Sequence, residues 1–377
     1  MQLAYLCSVA YVCFFIALIF VLDRIKMKER TLKVLFFLFA LSLANIAFSK
    51  DPPRAWDLTF HLAYMDQIRN SPLSLFEFLF HNTSWVGGYP FFFTFNLLRY
   101  ILCHLSRNNH WLPWTCVLID YCIVGYIMRD WSKDHEKNGK VNWLSFLICF
   151  GLLPFVHANS GMRNALAFSL IGLGIYLYLY KRKSILFFGV LSFMALTIHP
   201  SVLICIPFVF LARFNLRKKG LILVFAASIS IEWAARYLAS HATGLFQMVG
   251  HLYLRYSGAG QFQLDPMVLL GTLGIVGLFF AQCCIADFSH CTNAERNIYA
   301  FLAYYMCFIL SNVGNNDLVV RPAYLLGVLA PLLATLARKK SFWGKIRNQS
   351  AQPLAYAACA ALCGFMVLQY AALYISS

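Results

Sequence analysis

Negative charge is scarce in this chain. Only 15 of 377 residues are Asp or Glu, against 31 Lys and Arg, and charged residues of both signs make up just 12%. Soluble domains carry about twice that share. With 60% hydrophobic residues, the chain has more apolar surface than a soluble core of this size could hide. An ordinary cytosolic or secreted enzyme is excluded, and so is a disordered chain, which needs low hydrophobicity. Cysteine spacings of a disulfide framework or a zinc site are also missing. The 13 cysteines fall mostly inside apolar runs (Cys7, Cys13, Cys149, Cys205, Cys307), and Cys283-Cys284 ends one. There they behave as small hydrophobes. No fixed-period repeat is evident, and no soluble domain of about 50 residues or more lies outside the apolar runs. The net charge of +16 is spread between those runs and not gathered on one basic face. That is the positive-inside pattern of a membrane protein, and it argues against nucleic acid as a partner.

What is present is a series of thirteen apolar segments: 2–22, 33–49, 88–105, 111–128, 142–158, 164–180, 184–200, 201–213, 220–237, 266–288, 297–314, 322–337 and 354–375. A span needs about 20 such residues, which leaves 88–105 and 201–213 as the weakest. The expected fold is an all-α polytopic bundle, a single integral membrane domain over 1–377. Basic residues follow the first apolar run (Arg24, Lys26, Lys28, Arg30, Lys33), so it is read as a span and not as a cleavable signal. The same bias puts 129–140, 181–183, 213–219 and 338–347 in the cytoplasm. Then 50–87, 159–163, His199-Pro200, 237–265 and 314–321 face outward. Two apolar segments, 88–105 and 111–128, separate an outer loop from an inner one, yet only an odd number can cross. Segment 88–105 opens Gly87-Gly88-Tyr89-Pro90 and holds Arg99 and His104. It is therefore expected to be re-entrant, covered by protein or lining a cavity. The alternative is that the basic loop 23–33 lies outside.

Ionisable residues at membrane depth are costly and mark function by default. Asp57, His61 and Tyr64 fall at i, i+4 and i+7 in the outer loop 50–87, on one face of a short helix. A carboxylate beside an imidazole is a base-and-orienter arrangement, although an interfacial helix would carry similar residues. The turn Asn159-Ser-Gly-Met-Arg163-Asn164 sets an Arg at the outer start of a helix, which makes an anion site. Snorkelling would place it on the other side of the membrane. His199 ends another apolar run, and on its own reads as a structural histidine. Asp317, Arg321 and Tyr324 lie in and just after the outer turn at 314–321, where Arg321 precedes Pro322 at an expected helix start. Arg255 and Tyr256 lie in the outer loop 238–265, a cover over a site or a plain linker. The arginines Arg163 and Arg321, with Arg255 and Arg54, gather where cations are disfavoured. That points to a phosphate or pyrophosphate ligand anchored in the membrane.

Taken in order, these motifs resemble the EpsG family of bacterial envelope-polysaccharide proteins, related to the Wzy-type O-antigen and capsule polymerases. The resemblance rests on Asp57-Leu58-Thr59-Phe60-His61, on Gly88-Tyr89, on Arg163-Asn164-Ala165-Leu166-Ala167, on Ile198-His199-Pro200-Ser201 and on Arg321-Pro322-Ala323-Tyr324. Asn164 departs from the Gln that often follows the turn Arg. The resemblance implies a GT-C-like transmembrane glycosyltransferase of the bacterial cytoplasmic membrane, with its site facing the periplasm or exterior. The implied substrates are undecaprenyl-diphosphate-linked oligosaccharide repeat units, and the implied partners are membrane lipid, a chain-length regulator and a flippase. No cofactor and no metal are implied. In such a reaction the diphosphate leaves with growing charge that preorganised Arg side chains stabilise. Arg163 and Arg321 are assigned to it, with Arg255. Asp57 is the first candidate base, with His61 or His199 as orienter or alternative. Tyr64, Asn164, Tyr256, Asp317 and Tyr324 are candidate substrate contacts. A flippase of lipid-linked sugars, a membrane acyltransferase and a glycan ligase stay open as alternatives.

Overall fold

Apolar runs become helices here because a backbone in lipid must satisfy its N–H and C=O groups within its own segment. The chain also supplies side chains that close the helix ends. Asn142 accepts from the Leu144 amide at 3.0 Å, Ser184 from Phe187 at 3.3 Å, and Asp265 from Met267 at 2.9 Å. Thr292 and Glu295 form a reciprocal capping box, at 3.2 and 2.7 Å. Each such cap is worth about 1 kcal/mol. The computed structural model describes residues 29–376 apart from 50–56, 82–91, 137–139, 215–216, 245–246, 248–249, 252–253, 255–264 and 339–350. No strand occurs among the described residues.

The helices are α1 (Glu29–Ser49), α2 (Asp57–Arg69), α3 (Leu75–His81), α4 (Phe93–Leu105), α5 (Trp111–His135), α6 (Trp143–Leu152), α7 (Phe155–Ser160) and α8 (Met162–Ile175, continued by a π turn at Tyr176–Tyr180). There follow α9 (Ile185–Leu196), a 3₁₀ turn (Pro200–Ile204) leading into α10 (Cys205–Arg213), α11 (Arg217–His241), α12 (Pro266–Ile285), α13 (Asn293–Ser311), α14 (Asn316–Val328), α15 (Ala330–Arg338) and α16 (Ala351–Ser376). Among the described residues, six helices are long and apolar enough to cross a bilayer: α1, α5, α8 with its π turn, α11, α12 and α16. Helices α14 and α15 are long and apolar enough only when taken together, and they are bent by 77° at their break, the geometry of a broken span or a re-entrant loop. The chain is an all-α polytopic membrane protein.

Two expected spans are interrupted, each for a local reason. Segment 142–158 breaks at Pro154, because proline keeps the preceding Leu153 out of helical geometry (φ −123°, ψ 68°). Segment 322–337 begins earlier than expected. Asn315 caps the helix by accepting from Leu318 at 3.2 Å, so Pro322 falls inside α14 instead of at its start. Tyr305 then donates its hydroxyl to the Pro322 carbonyl at 3.0 Å. The first apolar segment, 2–22, lies outside the described residues. Helix α4 has 13 residues, about 20 Å at 1.5 Å per residue, short of a hydrocarbon core of about 30 Å.

Helix α8 is the axis of the bundle: 83% of its span is buried, against 17% for α11 at the periphery. It packs between α5, α9 and α14, while α14 also packs on α6, and α11 packs chiefly on α13. At the C-terminal end of α8, Lys181 pairs with Asp130 at 2.7 Å and Asp134 at 2.9 Å. Tyr176 and Tyr180 donate to the same two carboxylates at 2.6 and 2.8 Å. At the other end, Arg69 fastens α2 to the α4–α5 turn through Ser106 O (3.1 Å) and Asn109 Oδ1 (2.6 Å). Thr94 and Thr197 meet at 2.7 Å and tie α4 to the end of α9.

Candidate functional site

Arg163 is the second residue of α8, and Lys181 follows its last turn. Eighteen residues of helix put the two about 27 Å apart, so Arg163 marks the end of the bundle opposite the Lys181 cluster. The expected site residues of the described segments collect around it. The Arg163 guanidinium stacks on the Phe92 ring at 4.8 Å. Its charge acts on His61 and Arg99 on one side and on His199 on the other. Arg321 acts on His199, His157 and Tyr324. One electrostatic neighbourhood therefore holds residues that are 260 positions apart in sequence (Arg321 less His61).

Asp57 opens α2 and is exposed, whereas His61 and Tyr64 on the same helix are buried. The Asp57 charge reaches Tyr324, so the start of α2 lies near α14. His61 Nδ1 takes a short hydrogen bond from Nη2 of Arg99. Arg99 is wholly buried, with its guanidinium 4.4 Å from the Phe95 ring centre and 5.0 Å from that of Tyr64. Sequence reasoning noted Arg99 only as a mark of irregular backbone. An arginine inside an apolar run was the signal for more.

His199 caps the 3₁₀ turn: its Nδ1 accepts from the Ser201 amide at 3.2 Å and lies 2.8 Å from the Ser201 hydroxyl. That hydroxyl also reaches Asn164 Oδ1 at 3.5 Å, which links the start of α8 to the histidine turn. Burial foremost, then the Arg99 and Arg163 charges, hold the His61 imidazole well below its usual value. Burial, then Arg163 and Arg321, do the same to His199. Both rings are therefore neutral at physiological pH. Asp317 and Arg321 pair at 3.2 Å one turn apart on α14, both mostly shielded. Tyr324, a turn further on, is buried between the rings of His157 (5.5 Å) and Phe168 (6.2 Å). Arg255 and Tyr256 lie outside the described residues, as do Arg54 and Gly88-Tyr89.

His199, Ser201, Asp317 and Arg321 line a cavity of about 420 Å³. Apart from Ser228 its walls are otherwise apolar, with Phe208 from α10, Val224 and Ile231 from α11 and Phe308 from α13. A largely apolar cavity that also carries Arg321 and His199 suits a ligand that is itself part lipid and part anion. Among the described residues, no three His, Cys, Asp or Glu side chains converge as metal ligands.

The sequence model of the EpsG family matches residues 73–375. The chain belongs to the EpsG family. EpsG proteins are Wzy-type polysaccharide polymerase-like proteins. Membership points to a glycosyltransferase-like polymerase role in exopolysaccharide biosynthesis, with a lipid-linked oligosaccharide as substrate. No curated protein and no solved structure matches the chain. Within this EpsG chain, the matched residues include His199, Arg163 and Arg321 but not α2, which carries Asp57 and His61.

Proposed function

We propose that this EpsG protein joins undecaprenyl-diphosphate-linked repeat units at the outer leaflet of the bacterial cytoplasmic membrane. The observation that carries the proposal is the largely apolar cavity whose lining includes His199, Asp317 and Arg321, with Arg163 electrostatically coupled to the same histidine. The polyprenyl tail lies along Phe208, Val224 and Phe308, and the diphosphate faces Arg321 and Arg163. Residues 50–87 and 238–265 belong to the outer side in this reading, and α4 is a re-entrant helix that does not cross.

In the reaction, a sugar hydroxyl of the incoming unit attacks the anomeric carbon of the growing chain. The new glycosidic bond forms as the bond to diphosphate breaks, and its electron pair departs with undecaprenyl diphosphate. Arg163 and Arg321 meet that charge as it grows; a single preorganised donor of this kind is worth about 10²–10³ in rate. Asp57, exposed at the start of α2, takes the hydroxyl proton. Asp317 holds Arg321 in place across one helical turn, which limits the rotamer freedom the guanidinium would otherwise lose on binding.

The test uses a strain lacking this gene, complemented with wild type, Arg163→Ala or Arg321→Ala. Surface glycan is sized on gels beside extracted lipid-linked intermediates, and the leaflet holding them is assayed. Each variant is expected to lose long chains and to accumulate single units on the outer leaflet. Intermediates held on the inner leaflet would mean a flippase and overturn the assignment. So would normal chains from both variants.

A further inference from the structure

Nδ1 of each histidine of the site faces an N–H group that can only donate. His61 Nδ1 meets Nη2 of Arg99. A guanidinium offers N–H donors alone and stays charged, so this nitrogen keeps its lone pair and the ring proton sits on Nε2. His199 Nδ1 receives the Ser201 backbone N–H at 3.2 Å, again a group with no acceptor capacity; the Ser201 hydroxyl, 2.8 Å from the same nitrogen and able to donate or accept, is then left to donate. Two unrelated contacts, one between helices and one within a turn, impose the same tautomer. Arg99 is unusual in what it faces. Its guanidinium is wrapped by the Phe95 and Tyr64 rings, touches Asn96 Oδ1 at 3.4 Å, and meets no carboxylate among the described residues. A buried guanidinium without a carboxylate is costly, yet here it is directed at an imidazole.

We infer that Arg99 and Ser201 fix His61 and His199 as Nε2–H tautomers, and that both rings give hydrogen bonds to oxygens of the lipid-linked substrate and do not take the acceptor hydroxyl's proton. This rests on the transfer proposed above. It removes both histidines as alternatives to Asp57 and adds them to the donors facing diphosphate or sugar oxygens. Arg99 is a positioning residue that acts through the His61 ring.

Glutamine places an amide N–H near the Nε2 position, and asparagine places one near Nδ1. His61→Gln and His199→Gln are expected to polymerise within about tenfold of wild type, while the Ala and Asn variants lose about 100-fold, the scale of one lost donor. Arg99→Lys, which keeps a charged donor, retains more activity than Arg99→Met. In ¹⁵N-histidine-labelled protein in lipid nanodiscs, both rings are expected to show a bare Nδ1 and a protonated Nε2. Arg99→Met should free His61, but not His199, into a mixture of tautomers. Glutamine variants as inactive as folded alanine variants, or a protonated Nδ1 in wild type, would overturn the inference while leaving the polymerase reading intact. Activity surviving in both Arg163→Ala and Arg321→Ala would overturn that reading itself. Should Arg99→Met not fold, the wild-type spectrum and the glutamine variants decide.

Discussion

At Gly327, α14, the helix carrying Arg321, packs tightly on the end of α6. A methyl group added there would come within 2.7 Å of Leu153 Cβ, 2.8 Å of Leu153 N and 3.2 Å of Cys149 O. Ordinary carbon contacts fall near 3.5–4.0 Å, so Gly327→Ala forces about 1 Å of separation between α14 and the end of α6. Two of the three atoms are backbone, held by the Leu153 N–H bond to Cys149 O at 2.6 Å, and cannot swing aside. Overpacking of this kind costs about 1–3 kcal/mol, against a helix-propensity gain of about 1 kcal/mol for replacing Gly by Ala. Gly364 in α16 supplies the control, since a methyl group there would meet nothing within 4 Å. Only the propensity gain remains, and Gly364→Ala is expected to stabilise by about 0.5–1 kcal/mol. Thermal unfolding in one detergent, read through tryptophan fluorescence, compares the two variants with wild type. The midpoint should fall for Gly327→Ala and rise for Gly364→Ala. Two shifts of the same sign would refute this account of the α6–α14 contact.

Acid should weaken the fold through the two site histidines. Their folded values are depressed, so below about pH 6.5 the unfolded chain binds protons that the folded chain refuses. Their contribution is complete above that pH and is lost as pH falls toward the folded values, by at most about 1.4 kcal/mol per pH unit for each ring. His199→Gln should therefore flatten the fall in melting temperature between about pH 6.5 and 5; an unchanged slope would count against it. At the other end of α8, Lys181→Met strips Asp130 and Asp134 of their shared cation. With the Lys181 side chain a quarter exposed, the loss is expected at about 1–2 kcal/mol. Adding Asp130→Asn and Asp134→Asn should restore most of it in a denaturation series, and no recovery would mean the carboxylates are not the cause.

The all-α membrane fold was legible because hydropathy and the burden of backbone polar groups leave few other solutions. Arg163 and Arg321 drew attention for a related reason: charge beside apolar runs is costly, and the structure brings both to bear on His199. Breaks within spans were harder to read. Pro322 reads as a helix start until one sees that Asn315 caps the helix and places the proline within it. Pairings across long sequence separations were beyond reach altogether. The Arg99–His61 contact joins residues 38 apart on two short helices, and nothing in either local pattern names the other. The coupling of Asn164 to His199 through Ser201 is likewise a product of how α8 and the 3₁₀ turn meet.

Helix α11 has its own consequence. It walls the cavity through Val224 and Ile231 while turning Ile222, Leu223, Ile229 and Trp233 outward, and it is seated mainly on α13. If the cavity holds a lipid-linked substrate as proposed, a chamber bounded by so peripheral a wall would take it in sideways from the bilayer, without any passage through water. Supply then becomes a two-dimensional problem. The quantity that sets occupancy is molecules per unit of membrane area, and dilution in the surrounding medium does not alter it. Thickening the bilayer, or crowding it with other lipids, would change the traffic through this wall while every polar group at the far end stayed where it is.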